Sequence, residues 1–310
     1  MRVYGTHAGL PPDARGAVVA VGNFDGVHRG HQALLAAARA VAEAEGRPLA
    51  ALTFEPHPRA VLRPDDPPGR LTPAPLKHHR LEAQGVETLY SLPFDWEVAS
   101  LPPEAFVRDI LVRGLASAHV VVGADFRFGQ IRAGTPADIR AAGLPVTAVD
   151  KAKDGGEPIS ASRIRGLLRH GHMDEAAALL GWAWEVWGEV VRGDQRGRDL
   201  GYPTANMSLG PAVHPAYGVY AGQVLLPGEA AWRAAALNIG IRPMFALPVA
   251  QVEAHILDFE GDLYGQVLRV RPVARLRGEA RFASLDALVA QMALDCDQAR
   301  AVLAGRPGPG

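Results

Sequence analysis

The spacing of apolar residues changes character along this chain. Ala17 to Val21 is a short apolar run that ends at Gly22 and predicts a strand. Gln32 to Glu45 places Leu34, Leu35, Ala38 and Val41 at helical spacing and stops at Gly46, which predicts a helix with a glycine cap. Leu49 to Phe54, His119 to Val122 and Val146 to Val149 predict further strands, and Leu76 to Gln84 and Pro103 to Val112 predict helices. Strands that alternate with helices imply βαβ units and a mostly parallel sheet. Pro56 to Pro75 breaks this pattern with seven prolines in twenty residues. It predicts a surface loop and candidate lid, with neither helix nor inner strand.

Ser160 to His170 and Met173 to Leu180 predict two tandem helices, with Ser160 or Ser162 as an N-cap. Beyond Gly181 the period falls to two. Glu185 to Arg192, Tyr217 to Leu225, Arg233 to Ile239, Gln251 to Phe259 and Gln266 to Pro272 predict strands with turns between them, an antiparallel barrel or sandwich. Ser284 to Leu303 is amphipathic and begins with a capping serine, and Gly305 to Gly310 predicts a disordered tail. The expected division is therefore residues 1–182, residues 183–304 and a tail at 305–310. A length of 310 residues fits two domains of about 150 residues each.

Composition adds exclusions. Apolar residues at 48% and charged residues at 21% suit a globular protein and rule out collagen, coiled coil and disorder. A net charge of -1 gives no general attraction to nucleic acid or an anionic membrane. Scattered arginines and 6% aromatics without a stacking motif also argue against RNA. Of 32 basic residues, only three are lysines (Lys77, Lys151 and Lys153), which reads as genome base composition. The single cysteine, Cys296, excludes an internal disulfide framework or zinc cluster and fits a reducing compartment. Without a signal-like N-terminus or an apolar window of about 18 residues, a cytoplasmic protein with no membrane partner is expected.

The densest chemistry lies in Gly22-Asn23-Phe24-Asp25-Gly26-Val27-His28-Arg29-Gly30-His31, between the first strand and the first helix. Ligands of open α/β sheets sit beyond the carboxyl ends of the strands, and helix N-termini attract phosphate. His28 and His31 are three residues apart at the helix start, so both can face one anion and donate hydrogen bonds as charge develops on it. Alone, this pattern also fits two histidines that cap a helix or bind a metal. No G-x-x-x-x-G-K-S/T loop is present. Ser160-Ala161-Ser162-Arg163-Ile164-Arg165 offers hydroxyls and guanidiniums at another helix start, a second phosphate-type cluster or a solvated face.

In the second half, Gly193, Gly197 and Gly201 with Arg192, Arg196 and Arg198 precede Pro203-Thr204-Ala205-Asn206 and suggest a mobile loop over phosphates. Thr204 and Asn206 point the same way if extended, and their hydroxyl and amide oxygens suit Mg2+. Period-two alternation in Val252 to Phe259 puts Glu253, His255 and Leu257 on one face. Glu253 is a candidate general base for a primary alcohol, or a charged residue on a wet face.

Gly22 to His31, Thr53 to Pro58, Leu92 to Asp95, Val122 to Gly129 and Ser160 to Arg165 together make residues 14–182 resemble the adenylyltransferase module of bacterial bifunctional riboflavin kinase/FAD synthetases. Gly193 to Asn206, Pro215 to Tyr220, Asn238 to Gly240, Arg242-Pro243, Glu253 to Phe259, Asp262 to Gly265 and Phe282 to Asp295 make residues 184–304 resemble the kinase module of that family. The resemblance implies an α/β Rossmann-like nucleotidyltransferase domain followed by a six-stranded antiparallel β-barrel with a C-terminal helix. It implies that riboflavin becomes FMN in the barrel and FMN becomes FAD in the first domain, each with ATP and Mg2+. On the same basis His28 and His31 contact the ATP phosphates, and Ser162, Arg163 and Arg165 complete that site. Gly22, Asn23, Phe24, Asp25 and Gly26, with Asp125, Phe126 and Arg127, belong to the nucleotide and flavin pocket. Gly193, Arg198, Gly201, Tyr202 and Pro203 line the kinase nucleotide site, Thr204 and Asn206 bind Mg2+ and phosphate, and Glu253 deprotonates the ribityl 5′-hydroxyl. Members of the family can form homo-oligomers.

One departure stands out. The family usually reads Asn-Ile-Gly-Thr-Arg-Pro-Thr, whereas this chain has Ile241 and Met244 where those threonines stand. With the Mg2+ ligands and base intact, an active kinase is expected. The alternative is an adenylyltransferase whose barrel only binds flavin.

Overall fold

The computed structural model describes residues 1–193, 197, 200–244 and 247–304. The expected tail at 305–310 and the predicted nucleotide contact Arg198 lie outside the described residues. Two compact units divide the chain: Met1–Pro67 with Thr72–Ser160, and Pro68–Leu71 with the chain from Ala161 onward. The two expected helices after Ser160 thus group with the second unit, ahead of the boundary expected near Gly181.

The first unit holds one parallel sheet. In chain order its strands are β1 (Arg2–Tyr4), β2 (Val18–Val21), β3 (Leu49–Glu55), β4 (Thr88–Pro93), β5 (His119–Gly123) and β6 (Val146–Val149). In space they run β1-β4-β3-β2-β5-β6, every pair parallel. After β2 the chain winds outward through β3 and β4, then returns to β5 on the other side of β2. The carboxyl end of β2 is therefore the switch point where an open α/β sheet makes its ligand crevice. Period-two alternation splits the apolar residues of β2 between the two faces. Val18 and Ala20 pack with Leu34, Leu35, Ala38 and Ala42 of α1 (Arg29–Glu45) and with Leu81 of α3 (Ala74–Ala83). Val19 and Val21 pack on the opposite face with Phe106, Val107, Ile110 and Leu111 of the helix Phe106–Gly114, wound in π register. Each fully buried leucine contributes about 2 kcal/mol.

The proline-rich stretch departs from expectation. A short helix, α2 (Pro58–Leu62), forms within it. Pro58 occupies the first turn, where no amide hydrogen is needed, and the His57 ring accepts from the Arg59 amide at 3.1 Å. Leu71 and Thr72, near its end, are fully buried rather than on a surface loop.

The second unit opens with α7 (Ala161–His170) and α8 (Met173–Leu180), which follow three short helices, α4 (Trp96–Ala99), α5 (Pro103–Ala105) and α6 (Pro136–Ala141), of the first unit. Ser160 stands at the N-cap position of α7 and Ser162 within its first turn. After a small hairpin in the first unit, β7 (Lys153–Asp154) with β8 (Glu157–Pro158), come β9 (Val186–Glu189), β10 (Ala205–Ser208), β11 (Gly218–Leu225), β12 (Arg233–Met244), β13 (Leu247–Ile256) and β14 (Val267–Arg277). These last six strands form an antiparallel sheet in the order β10-β13-β12-β11-β14-β9. An antiparallel bridge between Val191 and Asn206 joins its two edges, so the sheet curls into a nearly closed barrel. Met207, Leu237, Ile239, Val252, Ala254 and Val270 fill its buried side. The C-terminal helix α9 (Leu285–Ala304) covers part of the other side, where Cys296 and Ala299 meet Ala221 and Leu257. Arg277 of β14 holds Asp295 of α9 through contacts of 2.9 and 2.7 Å, fixing the helix to the strand. The Ser284 hydroxyl accepts from the Ala287 amide at 3.2 Å, as its predicted capping role requires.

Candidate functional site

At the end of β2 the chain must turn sharply into α1. Phe24 and Val27 adopt left-handed φ values of 49° and 36°, and Gly26 one of 88°. Left-handed backbone at a buried phenylalanine and valine is strained, and neighbouring contacts hold it in place. The Phe24 ring is fully buried, and the Asp25 carboxylate turns inward. Asp25 accepts from the Thr72 amide at 3.0 Å, while the Thr72 hydroxyl accepts from the Gly26 amide at 2.8 Å. The Thr53 hydroxyl donates to the Asn23 carbonyl at 3.1 Å. Asn23 itself is exposed at the tip.

His28 is the N-cap of α1: its Nδ1 accepts from the His31 amide at 3.3 Å. An Nδ1 that accepts this bond leaves Nε2 to carry the ring's hydrogen. The two imidazoles stack, with centroids 3.7 Å apart and planes 16° from parallel. Gly30 permits this, since a Cβ there would lie 3.1 Å from the His28 ring. Nδ1 of His31 is buried and finds no hydrogen-bond partner among the described residues. Burial first, then the charges of His28 and Lys77, hold the His31 imidazole well below its ordinary value of 6.5.

The loop after β5 leaves the same carboxyl edge, since β2 and β5 are neighbours. It carries exposed Asp125, whose carboxylate pairs with Lys151 at 2.7 Å, then half-buried Phe126 stacked on Phe128 at 5.6 Å, and exposed Arg127. Ser162, Arg163 and Arg165 lie on α7, in the second unit. Ser162 is exposed, while Arg165 is buried and its guanidinium donates to the Gly69 carbonyl.

In the barrel, a cleft of about 520 Å3 is bounded by Gly193, Pro203, Thr204, Asn206, Phe259 and Tyr264. The Asn206 amide nitrogen donates to the Thr204 carbonyl at 3.1 Å and reaches its hydroxyl at 3.4 Å, which leaves the amide oxygen for another partner. A Cβ at Gly193 would come within 2.7 Å of the Asn206 side chain, so glycine is required for that close approach. Gly201 has φ 84° and turns the chain toward Tyr202. The Tyr202 ring meets that of His255 edge-on at 5.3 Å, and His255 Nδ1 donates to the Pro203 carbonyl at 2.9 Å. Glu253 pairs in register with Asn206 on β10 and with Asn238 on β12. Directly opposed residues share a face, so the three make a polar row across the outer side of the sheet. Half-buried Glu253 does not bound the cleft; Asn206, its neighbour, links cleft and carboxylate. Leu257 falls just beyond β13 and is buried beneath α9. Ile241 is 45% exposed and is not among the residues that line the cleft. The backbone of Met244 pairs with Leu247.

The FAD synthetase family matches residues 10–163, and the riboflavin kinase family matches residues 180–303. The bifunctional riboflavin kinase/FMN adenylyltransferase of Escherichia coli K12 is 39% identical over 297 residues, spanning 94% of this chain and 95% of that protein. This chain belongs to the bifunctional riboflavin kinase/FMN adenylyltransferase family. Its relative of the same description in Pseudomonas fluorescens is 40% identical over 97% of each chain. A crystal structure from Streptococcus pneumoniae, described as a macrolide-efflux protein, superposes with a TM-score of 0.85 at 31% identity over 96% of this chain and 98% of that one. No helix among the described residues is long and apolar enough to cross a membrane.

Sequence reasoning assigned no role to Thr72 and Lys77 in the first unit, and took Thr53 there and Asn238 in the second unit only as parts of longer motif stretches. For Thr53 and Asn238 the motif was the signal; Lys77 stood out as a lysine in a chain where arginine supplies nearly every other cation.

Burial also lowers the affinity of His78 and His214 for protons. Unfolded histidines take up protons as pH falls through 6.5, whereas folded His31, His78 and His214 do so only at lower pH. Their contribution to stability is full above 6.5 and is lost as pH falls toward the depressed folded values. The melting temperature is therefore expected to drop as pH is lowered below 6.5, and a rise in that window would contradict the assignment.

Proposed function

We propose that the two activities of this riboflavin kinase/FMN adenylyltransferase are divided between the barrel and the parallel-sheet domain, with the residues above in the following roles. In the barrel, the ribityl 5′-oxygen of riboflavin attacks the γ-phosphorus of ATP. The bond from that phosphorus to the β–γ bridging oxygen breaks, and ADP leaves. Glu253 accepts the hydroxyl proton, and Asn206 aligns the cleft with that carboxylate. The reaction depends mainly on positioning and charge neutralisation.

Thr204 and Asn206 have the chemistry for Mg2+: a hydroxyl oxygen and an amide oxygen, both hard donors, the latter turned away from its own neighbour. The ion, when bound there, would neutralise phosphate charge. Gly193 and Gly201, with Tyr202 and Pro203, shape the loop over the nucleotide.

In the parallel-sheet domain, an FMN phosphate oxygen attacks the α-phosphorus of ATP and expels pyrophosphate. The phosphate is already anionic, so no general base is required. His28 and His31 donate hydrogen bonds to the ATP phosphates as negative charge grows on the leaving group. The orphan ring nitrogen of His31 supports this role. Asn23, with Asp125, Phe126 and Arg127 from the neighbouring loop, contacts nucleotide and flavin, whereas Phe24 and Asp25 support the loop from within. From the motif, Ser162, Arg163 and Arg165 bind phosphate.

The observation that most favours two working sites over a flavin-binding barrel is the pairing of Asn206 with Glu253 beside Thr204. Exposed Ile241 leaves that arrangement untouched. Labelled ATP tests the division: γ-label should appear in the phosphate of FMN and α-label only in FAD. Absence of γ-label from FMN would favour the single-activity reading.

A further inference from the structure

Lys77 is fully buried, although it belongs to a helix that opens Ala74-Pro75-Leu76-Lys77-His78-His79-Arg80 and reads as solvated. Lys151 and Lys153, the other two lysines, are exposed. A buried ammonium is costly unless paired and hydrogen-bonded. Lys77 meets that condition on β3. Its Nζ lies 2.5 Å from a Glu55 oxygen, donates to the Thr53 hydroxyl at 3.0 Å and approaches the Phe54 carbonyl at 3.4 Å. Thr53 in turn donates to the Asn23 carbonyl at 3.1 Å. A continuous chain of polar contacts thus runs from α3 through β3 to the backbone of the loop that carries His28 and His31. It meets that loop next to Phe24, whose φ of 49° needs outside support.

The same ammonium carries charge. Among the described residues, the charged or titratable neighbours acting on His31 are His28 from its own loop and Lys77 from α3, with Glu55 beyond as the partner of Lys77. Phe24 packs against His31 at 5.3 Å and excludes water from that side. Arginine could not replace this lysine simply, because a planar five-donor fork does not fit a three-acceptor pocket built for a compact ammonium.

We propose that Lys77 is a positioning residue for FMN adenylylation: it anchors the nucleotide loop through Thr53 and Asn23, and adds a fixed positive charge to the interior beneath that loop. This rests on the reading that His28 and His31 contact the ATP phosphates. Behind burial and His28, the charge adds to what disfavours protonation of His31 in the free protein, and it attracts the phosphates of incoming ATP without touching them.

The test uses the full chain. Lys77→Met should lower kcat for FAD formation from FMN by at least about tenfold, as expected when a catalytic loop shifts by a fraction of an ångström. It should leave riboflavin phosphorylation at the parent rate. NMR titration of the His31 ring should move up toward 6.5, and the acid limb of kcat/KM for adenylylation should move with it. A role confined to fold stability would lower the melting temperature without moving either titration in the folded variant. Lys77→Met leaves Glu55 unpaired and could unfold the domain, so Lys77→Met with Glu55→Gln, which removes both charges, serves as the second variant. It should show the same loss of kcat and a smaller His31 shift in the same direction, because the offsetting Glu55 charge is lost too. A folded double variant with parent kcat and an unmoved His31 titration overturns the proposal. If instead His28→Ala with His31→Ala keeps full adenylylation, the underlying site reading has failed, whatever Lys77 does.

Discussion

Glu253→Gln stops FMN formation from riboflavin and leaves FAD formation from added FMN at the parent rate. Glu253 stands mid-strand on β13, paired in register with Asn206 and Asn238. Its backbone is held on both sides, so the change to glutamine alters chemistry and not shape. Glutamine cannot accept the 5′-hydroxyl proton, and loss of a positioned general base costs about 10²–10⁴ in rate. FAD formation is spared because FMN brings its own anionic oxygen to the other domain. Loss of both activities would contradict the placement of the kinase base in the barrel. Unchanged FMN formation would show that the carboxylate is a wet-face residue.

His28→Ala combined with His31→Ala makes FMN accumulate when riboflavin and ATP are supplied. The pair supplies stacked imidazoles at the N-terminus of α1, in a crevice at the switch point of the sheet. Removing two donors aimed at developing phosphate charge is expected to slow adenylylation by about 10² or more. His28→Ala also removes the helix cap, worth about 1 kcal/mol, so thermal melting accompanies the assay. A variant that melts normally and still makes FAD at the parent rate would move the adenylyl site elsewhere.

The alternation of strands and helices was legible where a buried strand of the parallel sheet is an apolar run, as in Val18–Val21 and Val120–Val122. β1 was not. It spans three residues, is largely exposed, and pairs with β4 far along the chain, so no local pattern marks it. α2 hid within a proline-rich stretch because proline forbids helix interiors but suits a first turn. Five of the six barrel strands were found with shifted ends; β10 (Ala205–Ser208) was not marked as a strand, and β13 runs Leu247–Ile256, with Leu257 leaving it for the cover of α9.

The candidate sites show the same division. His28 and His31, or Thr204 and Asn206, lie close in sequence, so spacing alone suggests their partnership. The direction of a side chain is another matter. Asp25 reads as a ligand contact in a glycine-rich loop, yet it turns inward to Thr72, 47 residues away. Thr53 and Lys77 act through burial and long-range hydrogen bonds, which leave no periodic trace.

The most direct test of two working sites in one chain is a time course with riboflavin, ATP and Mg2+, the flavins separated by chromatography. FMN should rise first and then fall as FAD replaces it. Unconverted riboflavin, with FAD still formed from added FMN, would contradict the account and leave the barrel as a flavin-binding appendage.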